Sequence, residues 1–228
     1  MKKKVYFHLE KTLIGTNWTH FGEIIGITFA IEMNEGYTVK TKVLTEEDDV
    51  GLIARTAIDV LYKMNESRDI ISFGGTQFGF SLLAEKSESK EYGEKATDLA
   101  LEHYDLLYSM YKNLGYNISF DAILKGYGIV NSDLIDLKNI DVYFNQGKVK
   151  RIEKHLQAKI ECLKNIHQKY IDGNGISWKT KNKKDGYVNF DFKDVGDTLE
   201  SAWECDTSWL GSGFKPEEEF ISWMSDYI

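Results

Sequence analysis

The order of the predicted strands and helices constrains the fold more than any other feature of this sequence. Alternating apolar residues predict strands over Lys4–Phe7, Glu23–Glu32 and Tyr37–Leu44, with a turn through Asn34-Glu35-Gly36 joining the last two as a hairpin. A helix, a buried strand over Asp69–Phe73 and several further helices follow. This order favours an α/β fold in which a sheet of mixed strand directions is flanked by helices.

The helices are predicted from apolar residues at helical spacing. Thr45 is expected to cap the first helix, and the pair Gly74-Gly75 to form a tight turn after the buried strand. His103–Leu107 fits a strand or a helix equally well. The later helices are predicted over Phe78–Glu85, Glu88–Leu101, Ser119–Gly126 and Gly147–Tyr170.

Composition excludes several classes of protein. A chain of 228 residues that is 42% hydrophobic is too apolar to be disordered. The longest apolar stretches, such as Ile24–Ile31, are far shorter than a membrane span. His8, Glu10 and Lys11 interrupt the apolar run that a secretory signal would need after the first lysines. We therefore expect a cytoplasmic protein without a membrane partner, since two cysteines also make no disulfide framework or zinc site.

The acidic residues are concentrated near the carboxyl end. The net charge is −8, and the segment from Asp185 to Ile228 carries eleven acidic residues and two lysines. The rest of the chain is nearly neutral, so it neither repels nucleic acid nor attracts it strongly. The basic cluster of Lys179, Lys181, Lys183 and Lys184 fits a solvated linker better than a phosphate-binding patch.

Four short motifs, taken in order, resemble those of the ribonuclease H-like 3′–5′ exonucleases, the DEDD superfamily. The segment Phe7-His8-Leu9-Glu10-Lys11-Thr12 lies where the family has Asp-x-Glu-Thr-Thr at the end of the first strand. Gly74 to Leu83 is similar to the second motif, and His103-Tyr104-Asp105-Leu106 with Ser119 to Leu124 to the third. The last motif corresponds to His155–Ile160 in the long helix. The resemblance covers residues 4–170 and implies a ribonuclease H-like mixed sheet.

The resemblance also implies which residues would form the site. The family's four acidic ligands hold two divalent ions that activate water and stabilise the phosphoryl transition state. At the corresponding positions this chain has His8, Glu10, Gly79 and Lys159, so that one of the four acids is kept. An ammonium group at Lys159 would repel a divalent cation and could neutralise Glu10 instead. We therefore expect a degenerate site that does not cleave nucleic acid with magnesium.

Some residues could restore activity. Asp105 is the best substitute acid, although a loop or cap carboxylate is the better interpretation, and His155, one turn before Lys159, could take the place of the family's general-base histidine. A second hypothesis places zinc or manganese on His8, Glu10, His103 and Asp105. We expect no cofactor, and Mg²⁺ or Mn²⁺ only if the chain is an active nuclease.

The last residues combine acidic and aromatic side chains. Pro216 followed by Glu217 to Glu219 predicts a helix start. One apolar stripe would then contain Phe220, Trp223, Met224 and Tyr227. Such a short helix must dock on something, either the chain's own domain or a protein partner, and these four residues are the candidate partner-binding set.

The sequence thus predicts three segments and two candidate functions. Residues 1–172 form the ribonuclease H-like domain, 173–198 a linker or extension, and 199–228 an acidic aromatic C-terminal segment. The preferred function is a catalytically degenerate, exonuclease-like protein that serves as a binding or scaffold module for a protein or nucleic-acid partner. The alternative is an active, metal-dependent 3′–5′ exonuclease with an altered divalent-metal site.

Overall fold

A five-stranded mixed sheet forms the centre of the protein. The computed structural model describes residues 2–12, 22–173, 175–180, 182–197 and 220–227. The strands of this sheet are β1 Lys3–Lys11, β2 Ile24–Glu32, β3 Tyr37–Val43, β4 Arg68–Ser72 and β5 Tyr104–Asp105. Their spatial order is β3-β2-β1-β4-β5; β2 runs antiparallel to both β1 and β3, whereas β1, β4 and β5 are parallel. This mixed α/β arrangement is consistent with a ribonuclease H-like fold.

Helices cover both faces of the sheet. They are α1 Val50–Asn65, α2 Phe80–Ser87, α3 Lys90–Glu102, α4 Leu106–Leu114, α5 Phe120–Tyr127, α6 Leu137–Asn145 and α7 Val149–Gly173, with a π-helical turn over Gly75–Gly79 before α2. None of the helices in the described ranges is long and apolar enough to span a bilayer.

Side chains alternate along β1 between the two faces of the sheet, and helices pack on both faces, which gives three layers. Val5, Phe7 and Leu9 point to one face and join a core cluster with α1, α2 and α3. Tyr6 points to the other face and packs in a cluster with α5 and α7, where Ile160 is fully buried. Helix α7 therefore lies across the face of β1 that also carries His8 and Glu10.

Two helix N-caps were predicted from the sequence, and the structure confirms one of them. Ser119 caps α5 as expected, its side chain accepting from the amide of Ala122. The first helix is capped by Asp49 and not by Thr45. The carboxylate of Asp48 accepts from the amide and hydroxyl of Thr45, which holds Thr45 in a turn before the helix.

Residues 173–198, predicted as a linker or extension, contain a second small sheet. Strands β6 Ile176–Lys179 and β7 Asp185–Val188 pair antiparallel, and Ile176 and Trp178 are buried. The backbone of Trp178 lies directly against Gly126 of α5, so that this hairpin packs on the main domain.

The described part of the C-terminal segment docks on the chain's own core. Phe220 is fully buried and packs on Tyr108 and Tyr111 of α4. Met224 joins the cluster beneath α1–α3, and the indole Nε1–H of Trp223 donates to the carbonyl of Thr76 at 3.0 Å. A short 3₁₀ helix spans Ser222–Asp226, whereas the predicted helix start at Pro216 lies outside the described residues.

The described residues before and after residues 198–219 belong to one core cluster. Val195, shortly before the end of the preceding described range, is buried in the same cluster as Phe220. Leu101 at the end of α3 packs against that cluster, and its carbonyl lies near Gly196. The described residues on either side of residues 198–219 therefore come close together.

Candidate functional site

The carboxyl-terminal half of β1 carries two polar side chains on its α7 face. His8 and Glu10 lie two residues apart on the strand and so share that face. The pairing register of β1 with β2 shifts between Glu10 and Lys11, which marks a bulge or irregularity at the end of the strand. The ring Nε2 of His8 lies 3.2 Å from Oε2 of Glu10.

Helix α7 supplies two more groups to the same carboxylate. His155 and Lys159 are four residues apart and so face the sheet together. Nε2 of His155 lies 3.0 Å from Oε2 of Glu10, and Nζ of Lys159 lies 3.7 Å from it. The structure thus brings together four of the candidate site residues: His8, Glu10 and Lys159 of the expected degenerate site, and His155, the candidate general base.

The hydrogen bonds determine which ring nitrogen of His155 carries the proton. Nδ1 of His155 accepts from the amide N–H of Ile135 at 2.9 Å, so the proton sits on Nε2 and is donated to Glu10. Ile135 lies in the loop before α6, and nothing in the sequence pattern indicates that its backbone reaches α7. His155 is fully buried, which makes it an internal link between loop, helix and strand.

The surroundings of Glu10 keep it ionised. Burial by itself would raise its pKa, but the charge of Lys159 and the hydrogen bonds from His155 and His8 hold the pKa of Glu10 well below its ordinary value. Burial lowers the pKa of His8, which favours the neutral ring despite the nearby carboxylate. The site is therefore a single carboxylate facing one ammonium group and two imidazoles.

Gly79, the position of the family's second Asp, does not join this group. It ends the π-helical turn, and a Cβ built on it would lie 2.9 Å from Cε1 of Phe7. Phe7 points to the face of β1 opposite His8 and Glu10. A side chain at position 79 would therefore meet the Phe7 ring before it could approach Glu10.

His103 and Asp105 form a separate, fully buried cluster beside β4. The carboxylate of Asp105 accepts from the amides of Gly74, Thr76 and Leu107, which makes it a cap for two turns. Nε2 of His103 is hydrogen-bonded to Ser72 Oγ at 2.9 Å. This placement matches the cap interpretation of Asp105.

The predicted metal set is accordingly divided between two places. His8 and Glu10 are hydrogen-bonded to each other, whereas His103 and Asp105 are engaged by backbone groups and Ser72. In the part of the chain that the structure describes, no cluster of three or more His, Cys, Asp or Glu side chains has the arrangement to hold a metal ion.

Two lysines at or next to the site lie over aromatic rings: Lys159, and Lys11, the residue that follows Glu10. Nζ of Lys159 lies 5.1 Å from the ring centroid of Phe120 in α5. Nζ of Lys11 lies 5.0 Å from the ring centroid of Phe78 in the π-helical turn. The only sequence signal for Lys11 was its place next to Glu10.

Comparison with known proteins supports the fold and goes no further. No protein-family model matches the chain, and no curated protein matches it either. A solved structure of the family B DNA polymerase from the hyperthermophilic archaeon Pyrobaculum calidifontis is similar, with a TM-score of 0.53 and 11% sequence identity over 75% of this chain. The matched region is 25% of the polymerase chain. At this identity the similarity shows a shared fold alone.

Proposed function

We propose that this protein is an exonuclease-like binding module that does not cleave nucleic acid with divalent metal ions. The proposal combines the distant similarity to an exonuclease-type fold with the charge of the candidate site. The partner would be a protein or a nucleic acid, and a reducing cytoplasmic location belongs to the same proposal.

One observation carries the proposal: the ammonium of Lys159 lies 3.7 Å from Glu10, the one carboxylate that the described residues place at the site. A two-metal site needs several carboxylates, because hard divalent cations prefer oxygen ligands and their charge must be balanced. Glu10 instead receives hydrogen bonds from His155 and His8 on the same oxygen. A dication entering there would displace these donors and meet the charge of Lys159.

The described residues of the C-terminal segment give weaker support for binding of a protein partner. Phe220 and Met224 are buried in the chain's own core, so a partner could contact them only if the segment left its position. Trp223 and Tyr227 are partly exposed and could contact a partner without such a change. Binding through these residues stays a prediction.

A nuclease assay tests the absence of cleavage. Labelled single-stranded DNA and RNA are incubated with the purified chain and with Glu10→Gln, in Mg²⁺, Mn²⁺ or Zn²⁺. We expect no metal-dependent shortening above the level that the Glu10→Gln preparation shows. Metal-dependent shortening by the natural chain that Glu10→Gln abolishes would establish the alternative, an active nuclease with an altered metal site.

A further inference from the structure

Strand β3 forms one edge of the central sheet and is exposed along most of its length. It has β2 on one side, and none of the described residues adds a strand on the other side. Its pairing with β2 keeps one register from Tyr37 to Val43. The exposed residues are Tyr37, Val39, Lys40 and Lys42. A regular, exposed edge is a surface to which another extended segment can add by backbone pairing.

The hydrogen bonds at the two ends of the β2–β3 ladder show how its backbone groups alternate. The amide of Met33 donates to the carbonyl of Gly36 at 3.0 Å, and the amide of Leu44 donates to the carbonyl of Ile25 at 2.9 Å. Both are therefore hydrogen-bonded pairs of the same antiparallel ladder, in which such pairs alternate with non-hydrogen-bonded ones.

This alternation divides the residues of β3 into two sets. The residues whose N–H and C=O groups bond to β2 are Thr38, Lys40 and Lys42. The residues whose N–H and C=O groups point away from β2, toward the open edge, are Tyr37, Val39 and Thr41. Two donors or acceptors per residue are thus available to an added strand along the exposed part of β3.

The side chains of β3 give the two faces of this edge different chemistry. On one face Lys40 is exposed and forms no ion pair with the described residues, whereas Lys42 is paired with Asp48 at 2.6 Å. On the other face Val39 is 40% exposed beside the partly exposed ring of Tyr37. A strand added here would meet a free cation on one face and an apolar surface on the other.

We propose that β3 binds an extended, acidic segment of a protein partner, which adds a strand to the sheet. The backbone of that segment would pair with the outward groups of Val39 and Thr41. A carboxylate would lie opposite Lys40, because cross-strand pairs of opposite charge are favourable, and β-branched side chains would contact Val39 on the other face. The inference rests on the proposed function, since it names the surface through which a binding module would hold a protein partner.

A second copy of this chain fits the edge less well than an acidic partner. When two β3 strands pair antiparallel with the greatest overlap, Tyr37 of one lies opposite Val43 of the other, and the two Lys40 side chains face each other. Like charges directly opposite are unfavourable. Residues 37–43 contain no Asp or Glu that could oppose Lys40 in another register.

Hydrogen exchange of the full chain, measured by NMR, tests the inference with the peptide acetyl-Thr-Val-Glu-Val-Glu-Val-Thr-amide as the probe. In the free chain the amides of Val39 and Thr41 should exchange fast and those of Lys40 and Lys42 slowly, because the latter bond to β2. Saturating peptide should slow exchange at Val39 and Thr41 about tenfold or more and leave Lys40 and Lys42 nearly unchanged. Binding elsewhere would not produce this alternation.

Fluorescence anisotropy of the labelled peptide compares variants. Val39→Pro removes an outward N–H and keeps the bonds to β2, which is where an edge strand tolerates proline, and it should abolish binding. Lys40→Glu should weaken binding about fivefold or more, because a like charge replaces an opposite one across the strands. Lys125→Glu makes the same charge change at an exposed lysine of α5, which packs on α7 and β6, and should bind as the natural chain does.

Several results would overturn the inference. They are a peptide that does not bind saturably, unchanged exchange at Val39 and Thr41 with peptide bound, unweakened binding by Val39→Pro, and equal binding by Lys40→Glu and Lys125→Glu. Protection of Val39 and Thr41 that grows with protein concentration without peptide would make a second copy the occupant and would also overturn it. Each of these results contradicts this inference alone, whereas metal-dependent cleavage of nucleic acid contradicts the proposed function.

Discussion

Buried imidazoles are a recurring feature of the interior. His155 joins Ile135 to Glu10, and His103 joins Ala100 to Ser72. Nδ1 of His167 is hydrogen-bonded to the hydroxyl of Tyr6 at 2.9 Å, in the layer between the sheet and α7. Each ring is placed where an added proton would meet an apolar environment or break an existing hydrogen bond.

The lowered pKa values of His167, His8 and His103 make the stability of the protein depend on pH. Burial lowers the pKa of His167 to about 4, and it also lowers the pKa of His8 and His103. Between the ordinary histidine pKa of about 6.5 and pH 4 the unfolded chain binds protons that the folded chain does not, so the free energy of unfolding falls as the pH falls. The contribution of His167 alone is about 3 kcal/mol over this range.

Urea denaturation at several pH values from 7 to 4 measures this effect. In His167→Gln, the free energy of unfolding should fall by about 3 kcal/mol less between pH 7 and pH 4 than it does in the natural chain. Lys169 is an exposed lysine near His167 on α7, and Lys169→Gln should leave the pH dependence of the free energy of unfolding unchanged. Equal pH dependence in the natural chain and His167→Gln would show that His167 takes up its proton in the folded state.

Among single residues, the motif positions indicated which side chains lie near Glu10 but not all of the contacts that they make. The motif positions identified His8, Glu10 and Lys159 as neighbours, and the structure brings them together. The bond from Ile135 to His155 joins a loop to a helix twenty residues away, and no periodic pattern encodes it. The place of Gly79 depends on the π-helical turn, whose hydrogen bonds span five residues instead of the four of the α-helix that the sequence suggested.

Elements with one continuous apolar face were the easiest to predict. β1 to β4, α5 and α7 agree with their predicted positions within a few residues, and along α7 the buried side chains recur at helical spacing. The hairpin of β6 and β7 was missed, since each strand has four residues and the lysine-rich turn between them suggested a solvated linker. Helix α6 was missed for a similar reason, as Ile140 is its one buried residue.

The contact between α5 and β6 depends on a glycine. A Cβ on Gly126 would overlap the backbone of Trp178 and the carbonyl of Ser177. Gly126→Ala should therefore destabilise the protein by about 1–3 kcal/mol, because backbone atoms must shift to admit the methyl group. Urea denaturation followed by tryptophan fluorescence measures the change.

Gly173→Ala is the matched control for this substitution. No atom lies within 4 Å of a Cβ built on Gly173 at the end of α7, so this change should leave stability within about 0.5 kcal/mol. Equal stability of Gly126→Ala and the natural chain would mean that the hairpin does not rest on α5 in solution.

On the scale of the whole molecule, residues 220–227, the described part of the C-terminal segment, pack into the fold. The sequence left open whether Phe220 and Met224 dock on their own domain or on a partner, and both are buried in core clusters of the domain. Local patterns could not decide this, because an apolar stripe does not specify which surface it covers. The cluster that receives Phe220 is assembled from α4 and from Val195, residues distant in the sequence.

Removing residues 220–228 should therefore lower the stability of the whole domain. Phe220→Ala alone is expected to cost about 3–5 kcal/mol, because it leaves a cavity between Tyr108 and Tyr111. Thermal unfolding of the truncated chain and of Phe220→Ala measures the loss. Tyr62→Ala, at an exposed tyrosine of α1, serves as the control with little change.

An unchanged melting temperature after truncation would contradict the structural role of the segment. In that case the aromatic residues of the segment would be available to a partner, and the predicted partner contact would gain support. Reduced stability together with intact binding of a partner would place the contact elsewhere on the molecule.

The meeting of Val195 and Phe220 in one cluster has a consequence for how this protein can change in length. When two anchors lie in one cluster, the chain between them can lengthen without moving either anchor, and each doubling of its length costs only about 0.6 kcal/mol of closure entropy. Val195 and Phe220 should therefore keep their places in the cluster when a fluorescent reporter or an epitope is inserted between Asp197 and Phe220.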